Sequence, residues 1–89
     1  MGLEFDWDPR KSESNLRKHR VTFEEAMEVF KDPLSLTIPD VDDEERWITI
    51  GRSLKDRILV VVFTEATDTI RIISARRATK HEQNAYEEK

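Results

Sequence analysis

Basic side chains are concentrated in the second half of the chain, where the sequence alternates as a β-strand does. Arg71, Arg76 and Arg77 follow one another closely, and Arg57 begins the apolar run before them. Because side chains alternate along a strand, Arg71 and Arg77 are predicted to share one face and Arg76 to lie on the other. Guanidinium groups offer paired donors that match phosphate oxygens, so several on a rigid sheet could bind and polarise a phosphodiester. Surface ion pairs alone would give the same pattern.

Two further positions carry groups that could move protons. The pair Lys18-His19 closes the first predicted helix, and a histidine titrates near neutral pH, as general acid–base chemistry requires. A histidine at a helix end is also favourable to the helix dipole without any catalytic role. Glu65 directly follows the longest apolar run and could act as a base or as an arginine partner. The residue types leave both interpretations open.

The sequence gives no indication of a metal or cofactor site. The histidines, His19 and His81, are far apart in the chain, and there is no cysteine. Gly2 and Gly51 are the only glycines, which excludes a glycine-rich phosphate loop. The acidic run at 40–45 lacks the glycine and the alternation of a calcium loop, so we interpret it as a solvated loop or a patch for a basic partner. We expect no metal ion and no cofactor.

Charge is distributed unevenly along the chain. The net charge is −4, yet residues 1–45 carry six basic and thirteen acidic side chains, whereas residues 46–81 carry eight basic and three acidic ones. A basic segment between acidic flanks is compatible with a nucleic-acid partner, which the net charge alone would disfavour. The same distribution also fits an ordinary solvated surface.

Local signals in the first half predict an edge strand and two helices. Phe5-Asp6-Trp7 alternates as a short edge strand. Asp8-Pro9 is typical of a helix start, and this helix is predicted to run to about Arg20. The sequence T-F-E-E at 22–25 is a capping box for a second, amphipathic helix, which Asp32-Pro33 ends.

The second half predicts strands followed by one helix. The strands are expected at 34–38, 46–50, 57–64 and 69–75, with an acidic loop at 39–45 and turns at 51–56 and 66–69. The run at 58–63 is apolar on both faces, which favours the central strand. A second capping box at 79–82 opens a helix to about Glu88. The predicted fold is α+β, in the order β-α-α-β-β-β-β-α: a mainly antiparallel sheet of about four strands with two N-terminal helices and one C-terminal helix.

Length and hydropathy limit the architecture further. The 89 residues suffice for one compact core and contain no repeat or linker, so residues 1–89 are expected to form a single domain. No apolar run approaches the ~18–20 residues of a membrane span, and the first residues lack a targeting pattern. The absence of cysteine fits a reducing compartment. We expect a soluble, cytoplasmic protein without membrane contact.

Seven segments, taken in order, resemble the BrnT family of ribonuclease toxins. They are FDWDP at 5–9, NLRKH at 15–19, FEEA at 23–26, VFKDP at 29–33, RWITIG at 46–51, RILVVVFTE at 57–65 and IRIISARRAT at 70–79. The resemblance extends to Glu82 and Tyr86 and so covers nearly the whole chain. Each segment alone is weakly specific, whereas the ordered set with similar spacing is a strong signal.

This resemblance implies a compact RelE-like domain and a type II toxin that cleaves RNA and stops growth. It implies a BrnA-like antitoxin with a ribbon-helix-helix DNA-binding part, so that DNA is contacted only indirectly, through the antitoxin complex. The family usually has Lys-His-Gly where this chain has Lys18-His19-Arg20. Glycine would permit a left-handed link between the first two helices, so Arg20 must find another geometry or accept strain. The position of His19 depends on which it does.

The family's activity, carried onto these residues, gives each a role. In metal-free cleavage the RNA 2′-hydroxyl attacks its own phosphate, and the site deprotonates it, stabilises the added negative charge and protonates the leaving 5′-oxygen. The resemblance then makes Arg57 and Arg76 the phosphate-stabilising residues and His19 the proton carrier, with Lys18 or Glu65 in support. The remaining candidates for RNA binding are Arg52, Lys55, Arg71 and Arg77.

Two other functions are compatible with the same residues. One is a non-catalytic module whose basic sheet holds a protein or nucleic acid, and the other is a toxin-fold protein that acts only within a repressor complex. The joint presence of Lys18, His19, Arg57, Glu65 and Arg76 favours the ribonuclease, because a pure binder would not need all of them.

Overall fold

The computed structural model describes residues 4–88 as a five-stranded β-sheet with helices on both faces. Its elements are β1 Glu4–Asp6, α1 Pro9–His19, α2 Phe23–Glu28, β2 Leu36–Pro39, β3 Trp47–Arg52, β4 Ile58–Ala66, β5 Thr69–Arg77 and α3 Lys80–Glu88. A 3₁₀ turn, Val29–Lys31, continues α2. The α+β class and the order of elements are as predicted. None of the helices in this part of the chain is long and apolar enough to span a bilayer.

The sheet has the strand order β1-β5-β4-β3-β2, with β4 in the centre as predicted. Pairs between consecutive strands from β2 to β5 are antiparallel, and the short turn between β4 and β5 closes a hairpin. The sheet has five strands rather than about four, because Glu4–Asp6 adds to the edge of β5 in parallel. A strand of three residues is enough there, since β5 already belongs to the hairpin.

The hydrophobic core is divided by the sheet into two layers. Alternate residues of β4, such as Leu59 and Val61, pack with Phe23 of α2 on the face that α1 and α2 cover, called here the α2 face. Val60, on the opposite or α3 face, packs with Tyr86 of α3. Helices on both faces explain why β4 is apolar on both sides, as its sequence indicated.

A β-bulge interrupts the pairing between β4 and β5. Val62 pairs with Ser74, but the next residue, Phe63, pairs with Ile72. Ile73 is therefore an extra residue on β5, and the face on which its neighbours lie reverses at this point. The period-two pattern of the sequence contains no signal for this insertion.

The bulge corrects the predicted distribution of the β5 arginines. Ile72 and Ala75 both belong to the core of the α2 face, although they are three residues apart. Arg71 consequently lies on the same face as Arg76, and the prediction that the two lie on opposite faces is wrong. Arg77, which pairs with Leu59, lies on the α2 face, opposite Arg76 as predicted.

Asn15 of α1 takes the place of a neighbouring strand where β1 ends. Its side-chain amide donates to the carbonyl oxygen of Ala75 at 2.8 Å, and its side-chain oxygen accepts from the backbone N–H of Ala75 at 3.1 Å. The same amide donates to the carbonyl oxygen of Val21 at 3.0 Å. This buried side chain therefore satisfies the open edge of β5 and fixes α1 against it.

Gly51 lies inside β3 and not in the following turn, where the sequence suggested it. A Cβ atom at this position would lie 3.0 Å from Cβ of Val29 and 3.2 Å from its carbonyl oxygen. The turn itself is formed by residues 53–56, and Asp56 adopts a left-handed backbone with φ of 63°. Glycine is required here because the 3₁₀ turn after α2 packs directly on β3.

Candidate functional site

An open cleft of about 340 Å³ lies where β3 and β5 end and β4 begins. Arg52 ends β3, Arg57 precedes β4 and Arg77 ends β5, so three adjacent strands each bring one arginine to this edge. The remaining lining residues are Asp56, Ile58, Ala78, Gln83 and Glu87. We call this site the arginine cleft. Its three guanidinium groups are suited to bind a phosphodiester.

Arg57 is held by a buried carboxylate. Its Nε donates to Oε2 of Glu25 at 3.0 Å, and its Nη2 donates to Oε1 of the same residue. Hydrogen bonding to Arg57, followed by that to Ser53, keeps the pKa of Glu25 below its ordinary value, although burial opposes this. The same pair raises the pKa of Arg57, so this guanidinium remains a fixed positive charge.

The other two arginines of the cleft are more exposed. Arg52 donates to Asp56 at 2.7 Å, and its guanidinium lies 5.9 Å from the centre of the Tyr86 ring. Arg77 forms no ion pair within residues 4–88, so its donors are available to a ligand. Lys55 lies in the turn between β3 and β4, beside the cleft and not in its lining.

The end of α1 forms a second, smaller cleft of about 180 Å³ with the bulge of β5. Its lining residues are Lys11, Ser14, Asn15, Lys18, His19, Ile73 and Ser74. His19 is half-buried and Lys18 is exposed. Lys11, Lys18 and His19 therefore lie on one side of α1.

Arg20 connects the two clefts and accepts the backbone geometry that glycine usually supplies. Its φ of 60° and ψ of 32° are left-handed, and its N–H donates to the carbonyl oxygen of Leu16 at 2.9 Å. Its own carbonyl oxygen accepts from Nη2 of Arg57 at 3.2 Å. The residue after His19 is thus bonded to the arginine cleft.

Arg76 stands apart from this cleft because it forms a bidentate pair with α3. Its Nη1 and Nη2 each donate to a carboxylate oxygen of Glu82 at 2.8 Å. Glu82 also accepts from the N–H of Thr79 at 2.8 Å and completes the predicted capping box. The hydrogen bond with Arg76, in spite of partial burial, lowers the pKa of Glu82 to about 2.

Two predicted site residues lie at the opposite end of the sheet. Glu65 is eight residues beyond Arg57 on β4, or about 26 Å along an extended strand. It lines a separate cleft with Trp47, Glu44 and other residues. The expectation that Glu65 shares a site with Arg57 is therefore wrong. Arg71 is also distant from the cleft and pairs with Asp6 of β1.

Sequence reasoning missed the role of Glu25, which the T-F-E-E motif assigned to a capping box. Thr22 does cap α2, since its hydroxyl accepts from the N–H of Glu25 at 3.0 Å. The carboxylate of Glu25, however, points to Arg57 and Ser53, to which no spacing in the sequence connects it. Gln83 and Glu87 were also missed, although their i,i+4 spacing places both on one face of α3.

A protein-family model described as "Ribonuclease toxin, BrnT, of type II toxin-antitoxin system" matches residues 7–82. This range includes α1, α2, all three arginines of the cleft and the start of α3. The chain belongs to the BrnT toxin family. The family resemblance inferred from the ordered segments is thereby confirmed, and with it a type II ribonuclease toxin at the level of the family.

A solved structure supports the fold of this BrnT-family protein. The crystal structure of the Brucella abortus ribonuclease toxin BrnT superposes with a TM-score of 0.73 at 22% sequence identity, covering 88% of this chain and 99% of the other. At this identity the likeness concerns the fold. A comparison with curated protein sequences found no significant match.

Proposed function

We propose that this BrnT-family protein cleaves RNA without a metal ion, at the arginine cleft and the adjoining end of α1. The observation that carries the proposal is the convergence of Arg52, Arg57 and Arg77 from three adjacent strands on one open cleft. The carbonyl oxygen of Arg20, which follows His19, is bonded to one of these arginines. This hydrogen bond supports a joint action of the proposed proton carrier and the phosphate-binding arginines on one substrate.

The reaction requires no group from outside the chain. The RNA 2′-oxygen forms a bond to phosphorus and the bond to the 5′-oxygen breaks, leaving a 2′,3′-cyclic phosphate and a 5′-hydroxyl. Arg57 and Arg77 stabilise the negative charge that develops on the phosphate oxygens, with Arg52 at the rim. Fixed guanidinium donors suit this step, because they remain charged throughout the reaction.

His19 is the proposed proton carrier. Its imidazole is half-buried at the end of α1, where it retains access to a ligand in the smaller cleft. It takes the proton of the 2′-hydroxyl and then protonates the 5′-oxygen, with Lys18 supplying positive charge beside it. Lys55 lies where it can contact a flanking phosphate. Arg76 acts indirectly, by holding α3 against the cleft.

A BrnA-like antitoxin is the proposed partner. The type II toxin–antitoxin family implies an antitoxin. We infer that it carries a ribbon-helix-helix part that contacts DNA, and that it inhibits the toxin by covering the arginine cleft. RNA could not then reach the three arginines. A toxin of this kind acts on cytoplasmic RNA.

Cleavage of a short synthetic RNA by the purified protein in the presence of EDTA tests this proposal. His19→Gln is expected to lower kcat about 10²-fold, the usual contribution of a general acid–base group. A 2′-deoxy substitution at the cleaved nucleotide should abolish the reaction, because the nucleophile is then absent. The matched control is His81→Gln, which changes the exposed histidine of α3 and should cleave normally.

Three results would contradict the proposal. They are full activity of folded His19→Gln, loss of wild-type activity in EDTA, and cleavage of the 2′-deoxy substrate. RNA binding by the wild-type protein without any cleavage would instead favour the non-catalytic binding module.

A further inference from the structure

We propose that Glu25 is a positioning residue that fixes the orientation of the Arg57 guanidinium for RNA cleavage. This inference rests on the proposed function, since it assumes that Arg57 contacts the phosphate. Glu25 lies on α2 and does not line the arginine cleft, whereas Arg57 does. It can therefore act only through Arg57.

The burial of Glu25 requires an explanation. Its side chain is only 3% exposed, and a buried carboxylate is costly unless it is paired and hydrogen-bonded. Three donors meet that requirement: the hydroxyl of Ser53 at 2.7 Å, and Nε and Nη2 of Arg57. Ser53 is itself buried, and its hydroxyl donates to Oε2, the same oxygen that accepts from Nε of Arg57.

In the described part of the chain, protein acceptors bind Nε and Nη2 of the Arg57 guanidinium but not Nη1. A guanidinium has five N–H donors. Nε uses its donor on Glu25, while Nη2 uses its two donors on Glu25 and on the carbonyl oxygen of Arg20. Within residues 4–88, Nη1 has no protein acceptor, so both of its donors remain for a ligand in the cleft.

This arrangement is more than a bond that holds α2 to β4. An ion pair that served stability alone would not require Nη1 of Arg57 to remain without a protein acceptor. Here the bidentate contact fixes the guanidinium plane, and a donor held in advance does not have to be ordered when charge develops on the phosphate. Loss of Glu25 should therefore affect the reaction step more than the binding of RNA.

Steady-state cleavage of the synthetic RNA, compared across a double-mutant cycle of Glu25 and Arg57, tests the inference. Glu25→Gln keeps the size of the side chain but introduces an amide that cannot accept from both nitrogens. We expect kcat to fall at least 10-fold with KM changed less than threefold, and the pH profile that His19 determines to stay unchanged. In the Arg57→Ala background, Glu25→Gln should have no further effect, because the group it positions is gone.

Two other variants keep the inference falsifiable if Glu25→Gln unfolds. Ser53→Ala removes one donor to the carboxylate without removing charge, and should lower kcat by a smaller factor. The matched control is Glu28→Gln, on the same helix, whose carboxylate accepts, among residues 4–88, only from the N–H of Leu54 at 2.9 Å. It should cleave as the wild type does.

The outcomes separate the inference from the function on which it rests. If Arg57→Ala cleaves normally, both are wrong. If Arg57→Ala is inactive while folded Glu25→Gln and Ser53→Ala retain wild-type kcat, the positioning role is wrong and the proposed function stands. Equal losses from Glu25→Gln in the presence and absence of the Arg57 side chain would show a purely structural role and likewise contradict the inference.

Discussion

At the scale of single residues, Arg20 shows how a family departure is accommodated. A left-handed backbone is unfavourable for a residue with a Cβ atom such as Arg20, and it costs roughly 1–2 kcal/mol more than it does for glycine. The link is nevertheless kept, because the N–H of Arg20 closes α1 on Leu16 and its carbonyl oxygen accepts from Arg57. The position of His19 is therefore the one that a glycine link would also give.

Replacing Arg20 with glycine should stabilise the protein. The expected gain in the free energy of unfolding is about 1 kcal/mol. Removal of the left-handed strain stabilises the folded protein, and the greater entropy of the unfolded glycine variant offsets part of that gain. Urea denaturation measures it. Arg17→Gly, inside α1, is the matched control and should lose about 1 kcal/mol. A loss of stability in Arg20→Gly would mean that the arginine side chain makes a contribution larger than the strain.

At the scale of elements, polar contacts hold α3 near both of its ends, to β5 and to the segment that follows the 3₁₀ turn. Near its start, Glu82 pairs with Arg76 of β5. Near its end, the hydroxyl of Tyr86 donates to Asp32 at 2.5 Å, and the ring packs in the core of the α3 face. Since Gln83 of α3 lines the arginine cleft, these contacts also determine the shape of the cleft.

The first of these contacts should make stability depend on pH in acid. The pKa of Glu82 is about 2 in the folded protein and 4.5 as its ordinary value, so its ionised form stabilises the fold fully above pH 4.5. That contribution is lost as the pH falls from about 4.5 towards 2. At neutral pH, Glu82→Gln should cost only about 1 kcal/mol, because Arg76 is partly exposed and solvent screens the pair.

Thermal unfolding between pH 7 and pH 2 measures this effect. The difference in Tm between wild type and Glu82→Gln should be constant above pH 4.5 and shrink below it. The other carboxylates titrate in both proteins and cancel in this difference. Parallel curves down to pH 2 would contradict the assignment.

At the scale of the whole molecule, the two ends of the sheet differ in charge. The arginine cleft lies at one end, while Glu65 lines a cleft with Glu44 and Glu45 at the other. The proposed function therefore leads us to expect that a polyanion such as RNA binds at the first end and not at the second. The net charge of −4 is therefore a poor guide to the binding of nucleic acid by this chain.

The affinity for a 2′-O-methyl RNA, which cannot be cleaved, should fall as the salt concentration rises. The steepness of this fall should be proportional to the number of phosphates that the protein contacts. For single strands, log K falls with log salt by about 0.7 for each neutralised phosphate. Arg77→Gln should reduce this slope by about 0.7, measured by fluorescence anisotropy between 50 and 200 mM salt. Glu65→Gln, at a residue about 26 Å from Arg57 along β4, should leave it unchanged. Equal slopes for wild type and Arg77→Gln would show that Arg77 does not contact an RNA phosphate.

The sequence by itself determined the elements and the family. Periodicity and caps depend on residues that are close together in the sequence. Local signals therefore predicted the central strand, the helix starts at Asp8 and Thr22, and the capping box at Thr79. The ordered segments identified the BrnT family. Local signals also placed Lys18 and His19 at the end of α1.

Tertiary structure alone decided which of the candidate residues meet. The bulge at Ile73 places Arg71 on the same face as Arg76, and the length of β4 separates Glu65 from Arg57. The carboxylate of Glu25, predicted to belong to a capping box, is buried and pairs with Arg57. Each outcome depends on strand register or on contacts between residues tens of positions apart. A pattern read along the chain carries no information on either, because both are fixed only when the sheet and its covering helices pack.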